Sequence, residues 1–334
     1  MTQTIYDVTI IGGGPIGMFS TFYSGMRDLK TKLIESRNEL GGQISMFYPQ
    51  KILRDIGGIP EIAGQDLVKQ LTQQTQTFQP TIVFNQFVSK LESLSERIYR
   101  LTSTTGETHL TRTIVLTVGA GRFKPVPLEV KGAERFTAQT HYFIQDLSKF
   151  RDQHVVISGG GNGAVDWANE LKQVAKSVTV IHRREDFTGH ESSVNEMKET
   201  CDVFSDYRLL RLDGEDHYLQ KVIIQSNKTG EKKALPADEL IVNHGIHGSY
   251  GGIAHWGLQM ENNRFVVNEN METNLPGIFA AGDAAIYPSK LKLIIGGFTE
   301  GPKAINSVKR YLDPKALEMA MYSTHHEKLL ELKK

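Results

Sequence analysis

Two segments of this chain carry the same order of hydrophobic and polar positions. The first opens with an apolar run at Val8, Ile10 and Ile11, turns through Gly12, Gly13, Gly14, Pro15, Ile16 and Gly17, and continues as a helical stretch to about Leu29. Lys32 to Glu35 reads as a second strand, so the pattern predicts a parallel strand–helix–strand unit. Residues 155–186, VVISGGGNGAVDWANELKQVAKSVTVIHRRED, repeat that order and end on a basic cluster. Between the two copies, residues 81–84, 97–102 and 108–118 have strand character, with a turn at Gly106, and are expected to form a small antiparallel layer beside the parallel sheet. Residues 218–225 and 231–235, separated by Asn227 to Gly230, suggest a hairpin that repeats the earlier one. Gly277 to Ala281 reads as a strand running into Gly282 and Asp283, and Glu300 to Leu312 as a helix. This last portion has no strand–helix–strand opening of its own and is expected to complete the first domain.

The prediction is an α/β chain of two Rossmann-like dinucleotide-binding domains. Linkers are placed near 115–122 and 244–250, which makes residues 1–117 and 246–334 one discontinuous domain and residues 118–245 an insertion. A length of 334 residues suits two domains of this size.

A pyrophosphate needs close approach of backbone N–H groups and gains from the positive end of a helix. Gly12, Gly14 and Gly17 supply that geometry as G-x-G-x-x-G. In isolation such a motif is as well explained by a tight turn without ligand. Here it follows a strand, opens a helix, and has Glu35 at the end of the next strand, where a carboxylate can accept both ribose hydroxyls. In the second copy Gly159, Gly161 and Ala164 fit G-x-G-x-x-A, and His182, Arg183 and Arg184 stand where Glu35 stood. Guanidinium groups hold a 2′-phosphate that a carboxylate would repel, which favours NADP over NAD; a solvated basic strand end is the alternative. The two opposed endings read as FAD in the first site and NADP in the second. Two nicotinamide sites also satisfy the charge rule, but a flavin gives the hydride a destination.

Composition narrows the setting. The 38 basic and 38 acidic side chains balance, which gives no bias toward nucleic acid, and 39% apolar with 23% charged residues is ordinary for a globular chain. Asp7 interrupts the first apolar run, and no stretch reaches the roughly 20 apolar residues of a membrane span, so a cytoplasmic protein is expected. The single cysteine, Cys201, forms no internal disulfide, C-x-x-C pair or cysteine-rich metal site, and no metal is expected. Residues 286–334 hold nine Lys or Arg against five Asp or Glu, a local excess that would steer an acidic partner if it is more than a solvated tail.

At the level of motifs the chain resembles the two-dinucleotide-domain flavoproteins, and within them the ferredoxin–NADP reductases of the thioredoxin-reductase-like type. The resemblance covers nearly the whole chain through IIGGGPIGMFSTFY, GGQISMFYPQK, TVGAGRFKP, GGG-x-x-AVDWA with IHRRE, METNLPGIFAAGDAA and DPKALEMAMYST. It implies that Glu35 holds the adenosine ribose of FAD, that Val88 meets the adenine through its backbone, and that Asp283 bonds the ribityl chain or pyrophosphate. Gln43, Phe123 and Thr324 match flavin-contacting positions. Tyr48 matches the position covering one face of the isoalloxazine, and Tyr322 the position covering the other. Thioredoxin reductases place a C-x-x-C pair before the second glycine motif, where this chain has THYFIQD, residues 140–146. Relatives commonly continue HRRE with phenylalanine and arginine, whereas Phe187 is followed here by Thr188. The implied activity is hydride transfer from NADPH to FAD, followed by single-electron transfer to ferredoxin or flavodoxin, in a homodimer. An NADPH diaphorase with another acceptor, and a redox-sensing protein that binds FAD and NADPH without sustained turnover, are the alternatives.

Overall fold

Strands covered on both faces bury nearly every side chain, and the strand Ile5–Ile11 does so from Val8 onward, polar Thr9 included. The computed structural model describes residues 3–319 and 322–331. It divides into two compact units, Met1–Phe123 with Gly248–Lys334, and Lys124–His247. The divisions after Phe123 and His247 lie six and two residues beyond the expected domain boundaries at 117 and 245, the first just past the linker expected near 115–122 and the second within that expected near 244–250.

In the first unit Ile5–Ile11 lies between two parallel neighbours, Thr31–Ile34 and Thr108–Leu116, with Thr81–Val83 outside Thr31–Ile34. The helix Pro15–Met26 begins with proline at its first turn and ends three residues before the expected Leu29. Its chain reverses at Asp28, whose φ of +53° is left-handed.

The expected antiparallel layer forms only in part, as an extension of the same sheet: Ile98–Ser103 pairs antiparallel with Thr108–Leu116 around the turn at Gly106. Thr81–Val83 belongs to the parallel sheet, and an unforeseen strand, Val88–Ser95, pairs antiparallel with Ile98–Ser103. That strand was missed because its sequence, VSKLESLS, is mostly exposed and carries little apolar alternation. The meander joins the main sheet through Thr108–Leu116, which pairs with Ile98–Ser103 over its first half and with Ile278–Ala280 over its second. One seven-stranded sheet results, closed by a strand from the far end of the chain.

The final long helix runs Ile294–Leu312, six residues earlier than expected. It approaches the first helix closely: a Cβ on Gly301 would lie 2.5 Å from Ser20 Oγ, and one on Gly297 2.3 Å from Ile16 Cδ1.

In the second unit a parallel sheet runs in the order Thr140–His141, Glu239–Val242, His154–Ser158, Ser177–His182, Asp202–Ser205. Alternate residues face opposite sides. Val155 and Ile157 pack under the helices Asn162–Leu171 and Glu191–Thr200, whereas Val156 faces a three-stranded antiparallel layer. That layer comprises Tyr207–Glu215, Tyr218–Ser226 and Lys232–Pro236, so the expected hairpin gains a third strand.

Among the described residues no helix is long and apolar enough to cross a membrane, and no group of three or more His, Cys, Asp or Glu could hold a metal ion.

Candidate dinucleotide sites

The glycines of the first turn do different work. Gly12 has a φ of +106°, and a Cβ there would stand 2.5 Å from the Thr117 carbonyl oxygen; on Gly17 it would fall 1.8 Å from the Gly12 carbonyl oxygen. These two let the turn close on itself and on the neighbouring strand. Gly14 differs, because a Cβ would meet nothing nearer than Gly42 Cα at 3.9 Å. It caps the helix Pro15–Met26 without a side-chain bond, so the positive helix end opens onto a cavity of about 540 Å³. A side chain at Gly14 would fill space that a pyrophosphate needs, and the turn therefore fits the implied group.

Glu35 lines the same cavity and is 5% exposed. Its Oε2 accepts from Gly13 N at 2.6 Å, and its Oε1 from Arg37 N at 2.8 Å and Ser36 Oγ at 3.0 Å. The carboxylate is thus fixed against the turn and keeps acceptor capacity for a ribose hydroxyl.

Gly12, Gly14, Glu35, Gln43, Tyr48, Val88, Phe123 and Asp283 all line this one cavity, whereas Gly17 lies behind the turn. Residues distant in sequence meet there. Gln43 Nε2 donates to Asp283 Oδ2 at 3.3 Å, and the Phe123 ring meets Phe47 edge-on with centroids 4.9 Å apart. Asp283 occupies the short turn Gly282–Ala284 after the strand Ile278–Ala280, and Gly282 has a φ of +72°. Burial, aided by Asp283 and Asp55, holds the Tyr48 phenol above its ordinary pKa, so Tyr48 remains a neutral ring on the wall.

Sequence reading missed several lining groups: Gln86, Tyr250, Lys290 and Lys292. It also missed the carboxylate that holds Lys290 and the Gly282 turn. Glu300 is 1% exposed and accepts from Gly282 N at 2.7 Å, Tyr287 Oη at 2.7 Å and Lys290 Nζ at 2.6 Å. Burial and this bond push Tyr287 up to about 12. A signal existed: Glu300 stands within the buried stripe Gly297, Gly301, Ala304, Ile305 and Val308, where a charge at helical spacing needs a partner. Lys290 is consumed by this pair and Lys328 bonds Asp28 at 2.6 Å, so at least two of the basic residues between 286 and 334 are not free for a partner.

Tyr322 and Thr324 are not brought to this cavity. Tyr322 is 75% exposed. Its neighbours anchor the tail at the far end of the first helix, where Arg27 donates to the Leu317 carbonyl oxygen at 2.6 Å and the His326 ring meets Phe78 with centroids 5.3 Å apart. Twelve residues of helix separate that end from the glycine turn, about 18 Å at the α-helical rise.

In the second unit Gly161 caps the helix Asn162–Leu171 without a side-chain bond, and a Cβ there would meet only Thr188 Oγ1, at 3.9 Å. Gly159 is required by the fold, since its Cβ would lie 2.5 Å from the Asn243 carbonyl oxygen. Ala164 is fully buried under the helix. His182 packs over Gly160 and beside Phe187, with ring centroids 5.0 Å apart, and burial lowers its pKa, so it adds no positive charge at neutral pH. Arg183 and Arg184 are exposed, while their carbonyl oxygens accept from Asn227 Nδ2 at 3.0 Å and Asp206 N at 3.1 Å. The backbone of the basic pair is held while both guanidinium groups stay available. Thr188 N donates to the Gly160 carbonyl oxygen at 2.9 Å, so the loop after the arginines folds back onto the glycine turn.

The sequence profile described as pyridine nucleotide-disulphide oxidoreductase matches residues 6–307. A protein named ferredoxin–NADP reductase 1 from Bacillus velezensis is 54% identical over 328 residues, covering 98% of each chain. Its namesake from Listeria monocytogenes is 46% identical over 331 residues, covering 99% of this chain and all of the relative. Among solved structures, Lactococcus lactis thioredoxin reductase superposes with a TM-score of 0.75 at 25% identity, over 92% of this chain and 99% of the other. Thioredoxin reductase from T. acidophilum gives the same TM-score at 20% identity, over 93% and 99% of the two chains.

Proposed function

The chain belongs to the pyridine nucleotide-disulphide oxidoreductase family, and from that premise we propose that it is an NADPH-dependent flavoprotein reductase, a ferredoxin–NADP(+) oxidoreductase. FAD and NADP are its cofactor and coenzyme, and ferredoxin or flavodoxin is its electron acceptor. The observation that carries this reading is the opposed ends of the two glycine motifs, a buried carboxylate at Glu35 and an exposed guanidinium pair at Arg183 and Arg184. A carboxylate beside the ribose accepts from its hydroxyls and repels a 2′-phosphate; the arginines do the reverse.

The flavin supplies the exchange between two-electron and one-electron chemistry. The protein's own residues bind and orient. The turn at Gly12 and Gly14 receives the pyrophosphate, Glu35 holds the adenosine ribose, Val88 borders the base, and Asp283 with Gln43 fixes the ribityl side. Tyr48 and Phe123 offer flat apolar surface to the ring. Arg183 and Arg184 select the phosphorylated coenzyme, while His182 positions Gly160. Hydride transfer needs proximity and alignment more than a side-chain base, which agrees with the lack of a His–Asp dyad in this reading. Cys201 is a lone, half-buried thiol whose pKa burial raises, so a dithiol relay is not part of the proposal.

The protein is read as a cytoplasmic homodimer. A diaphorase using a different acceptor shares every residue above and differs only in its partner. Stopped-flow mixing with NADPH tests the proposal. Rapid flavin bleaching followed by reduction of added ferredoxin or flavodoxin is expected; bleaching without carrier reduction would favour the diaphorase, and no bleaching a redox sensor.

A further inference from the structure

Lys32, His109 and Gln86 form a buried chain that ends at the cavity of the first unit. They are 8%, 6% and 8% exposed. Lys32 Nζ lies 3.0 Å from His109 Nδ1, and His109 Nε2 lies 2.5 Å from Gln86 Oε1. Burial lowers the Lys32 pKa from its ordinary value, and the Tyr6 ring, 4.3 Å from Lys32 Nζ, opposes that loss of charge.

With Lys32 as an ammonium, donor and acceptor rules assign the protons of this chain. An ammonium only donates, so His109 Nδ1 must accept. The neutral imidazole then carries its proton on Nε2 and donates it, so the facing atom of Gln86 must be the amide oxygen. With that oxygen committed, the polar group Gln86 has left to offer the cavity is its NH2, a donor. Burial, reinforced by Lys32, holds His109 down to about 4, which keeps this arrangement intact near neutrality.

The chain reaches the cavity at one particular place. Gln86 N donates to the Glu35 carbonyl oxygen at 3.0 Å, and Gln86, Phe87 and Val88 line the wall beside Glu35. A base attached to a ribose held by Glu35 lies against that wall. We propose that Gln86 is a specificity-determining residue that donates a hydrogen bond from its side-chain amide to an acceptor on the adenosine half of the bound dinucleotide, its amide held in the donating orientation by Lys32 and His109. The assignment rests on the flavin reading above.

The test is FAD binding to the flavin-stripped, full-length protein, followed by fluorescence quenching, with ADP as competitor. Gln86→Met, similar in volume and unable to donate, is expected to raise the Kd for FAD about tenfold, the loss of one hydrogen bond of roughly 1.4 kcal/mol. The inhibition constant of ADP should rise by the same factor, because the missing contact lies in the adenosine half; a general loosening of the site would weaken FAD more than ADP. Lys32→Met keeps Gln86 but frees the imidazole tautomer and the amide to turn, and a smaller loss for both ligands is expected. FAD affinity within twofold of wild type in both variants, or a loss for FAD not shared by ADP, would overturn the assignment. A wild-type protein that bound no FAD would instead refute the flavin reading itself.

Discussion

Glu35 and the pair Arg183–Arg184 stand at the same point of two copies of one motif and carry opposite charge. Their burial differs as much as their sign: Glu35 is fixed by three hydrogen bonds, while the arginines are anchored only through their backbone. Arg183→Ala combined with Arg184→Ala is therefore expected to leave the fold intact and to raise the KM for NADPH at least tenfold, with little change for NADH. Each charge-assisted contact contributes about 1.5–3 kcal/mol when formed. Steady-state kinetics with both coenzymes check this, and an equal loss for the two would remove the arginines from phosphate selection. Both ends were legible in sequence because a ribose-binding group sits at a fixed distance from its glycine turn. The Lys32–His109–Gln86 chain was not, since its members come from two strands on either side of Ile5–Ile11 and from the loop before Val88–Ser95, and only the folded sheet brings them together. It predicts a pH effect with a definite sign. Burial depresses His109 to about 4 in the folded protein, whereas an unfolded histidine titrates near 6.5. The unfolded chain then binds the extra proton first, so stability is full above pH 6.5 and falls as the pH drops toward 4, by up to about 3 kcal/mol. Urea unfolding at pH 7 and pH 4.5 should show this decline, and His109→Gln should flatten it; equal slopes in the two proteins would contradict the assignment.

At the level of elements, sequence periodicity located the two strand–helix–strand units and failed where a strand is exposed or a helix is rich in glycine. Val88–Ser95 is mostly solvent-facing and reads as a loop. The helix Ile294–Leu312 contains Gly296, Gly297, Gly301 and Pro302, which lower helix propensity and hide its first turns. Those glycines serve packing. The first and last long helices approach closely through Gly297 and Gly301, and the same last helix carries Glu300 to the turn at Gly282 and Asp283. Gly301→Val would push atoms into Ser20, whose Oγ already lies 2.5 Å from the position of a Cβ. Overpacking of this kind costs about 1–3 kcal/mol, so the Tm should fall by several degrees. The purified variant should also retain less FAD, because separating the helices moves Glu300 away from the Gly282 turn. Differential scanning fluorimetry and the ratio of flavin to protein absorbance measure the two effects; a lowered Tm with full FAD content would uncouple the helix contact from the site.

On the scale of the whole molecule the expected duplication is present as two units of similar plan, one discontinuous and one inserted. The tail is where a residue resemblance and the fold of a single chain part company. Tyr322 matches a flavin-covering position, yet it is 75% exposed and its neighbours are anchored at Arg27, Asp28 and Phe78, a helix length from the glycine turn. No property of the local sequence YST could reveal this, because the location is set by the contacts that Leu317, His326 and Lys328 make with Arg27, Phe78 and Asp28. Two arrangements reconcile the resemblance with the anchor: the tail releases and folds over its own flavin, or it stays anchored and covers the flavin of a second copy. In both, Tyr322→Ala retains FAD and changes the rate of flavin reduction by NADPH, since a ring on the stacking face must move before a nicotinamide can occupy it. If the protein forms the proposed homodimer, mixed dimers separate them. When a Tyr322→Ala chain is paired with a Gly14→Val chain, whose side chain would fill the pyrophosphate space, the only flavin sits on the Tyr322→Ala chain. Stopped-flow reduction at the wild-type rate then means that the intact tyrosine of the flavin-free partner covers it. Reduction at the rate of the Tyr322→Ala homodimer means that each tail serves its own flavin. If the Tyr322→Ala homodimer itself matches wild type, Tyr322 lies outside the flavin chemistry and the tail is a packing element alone.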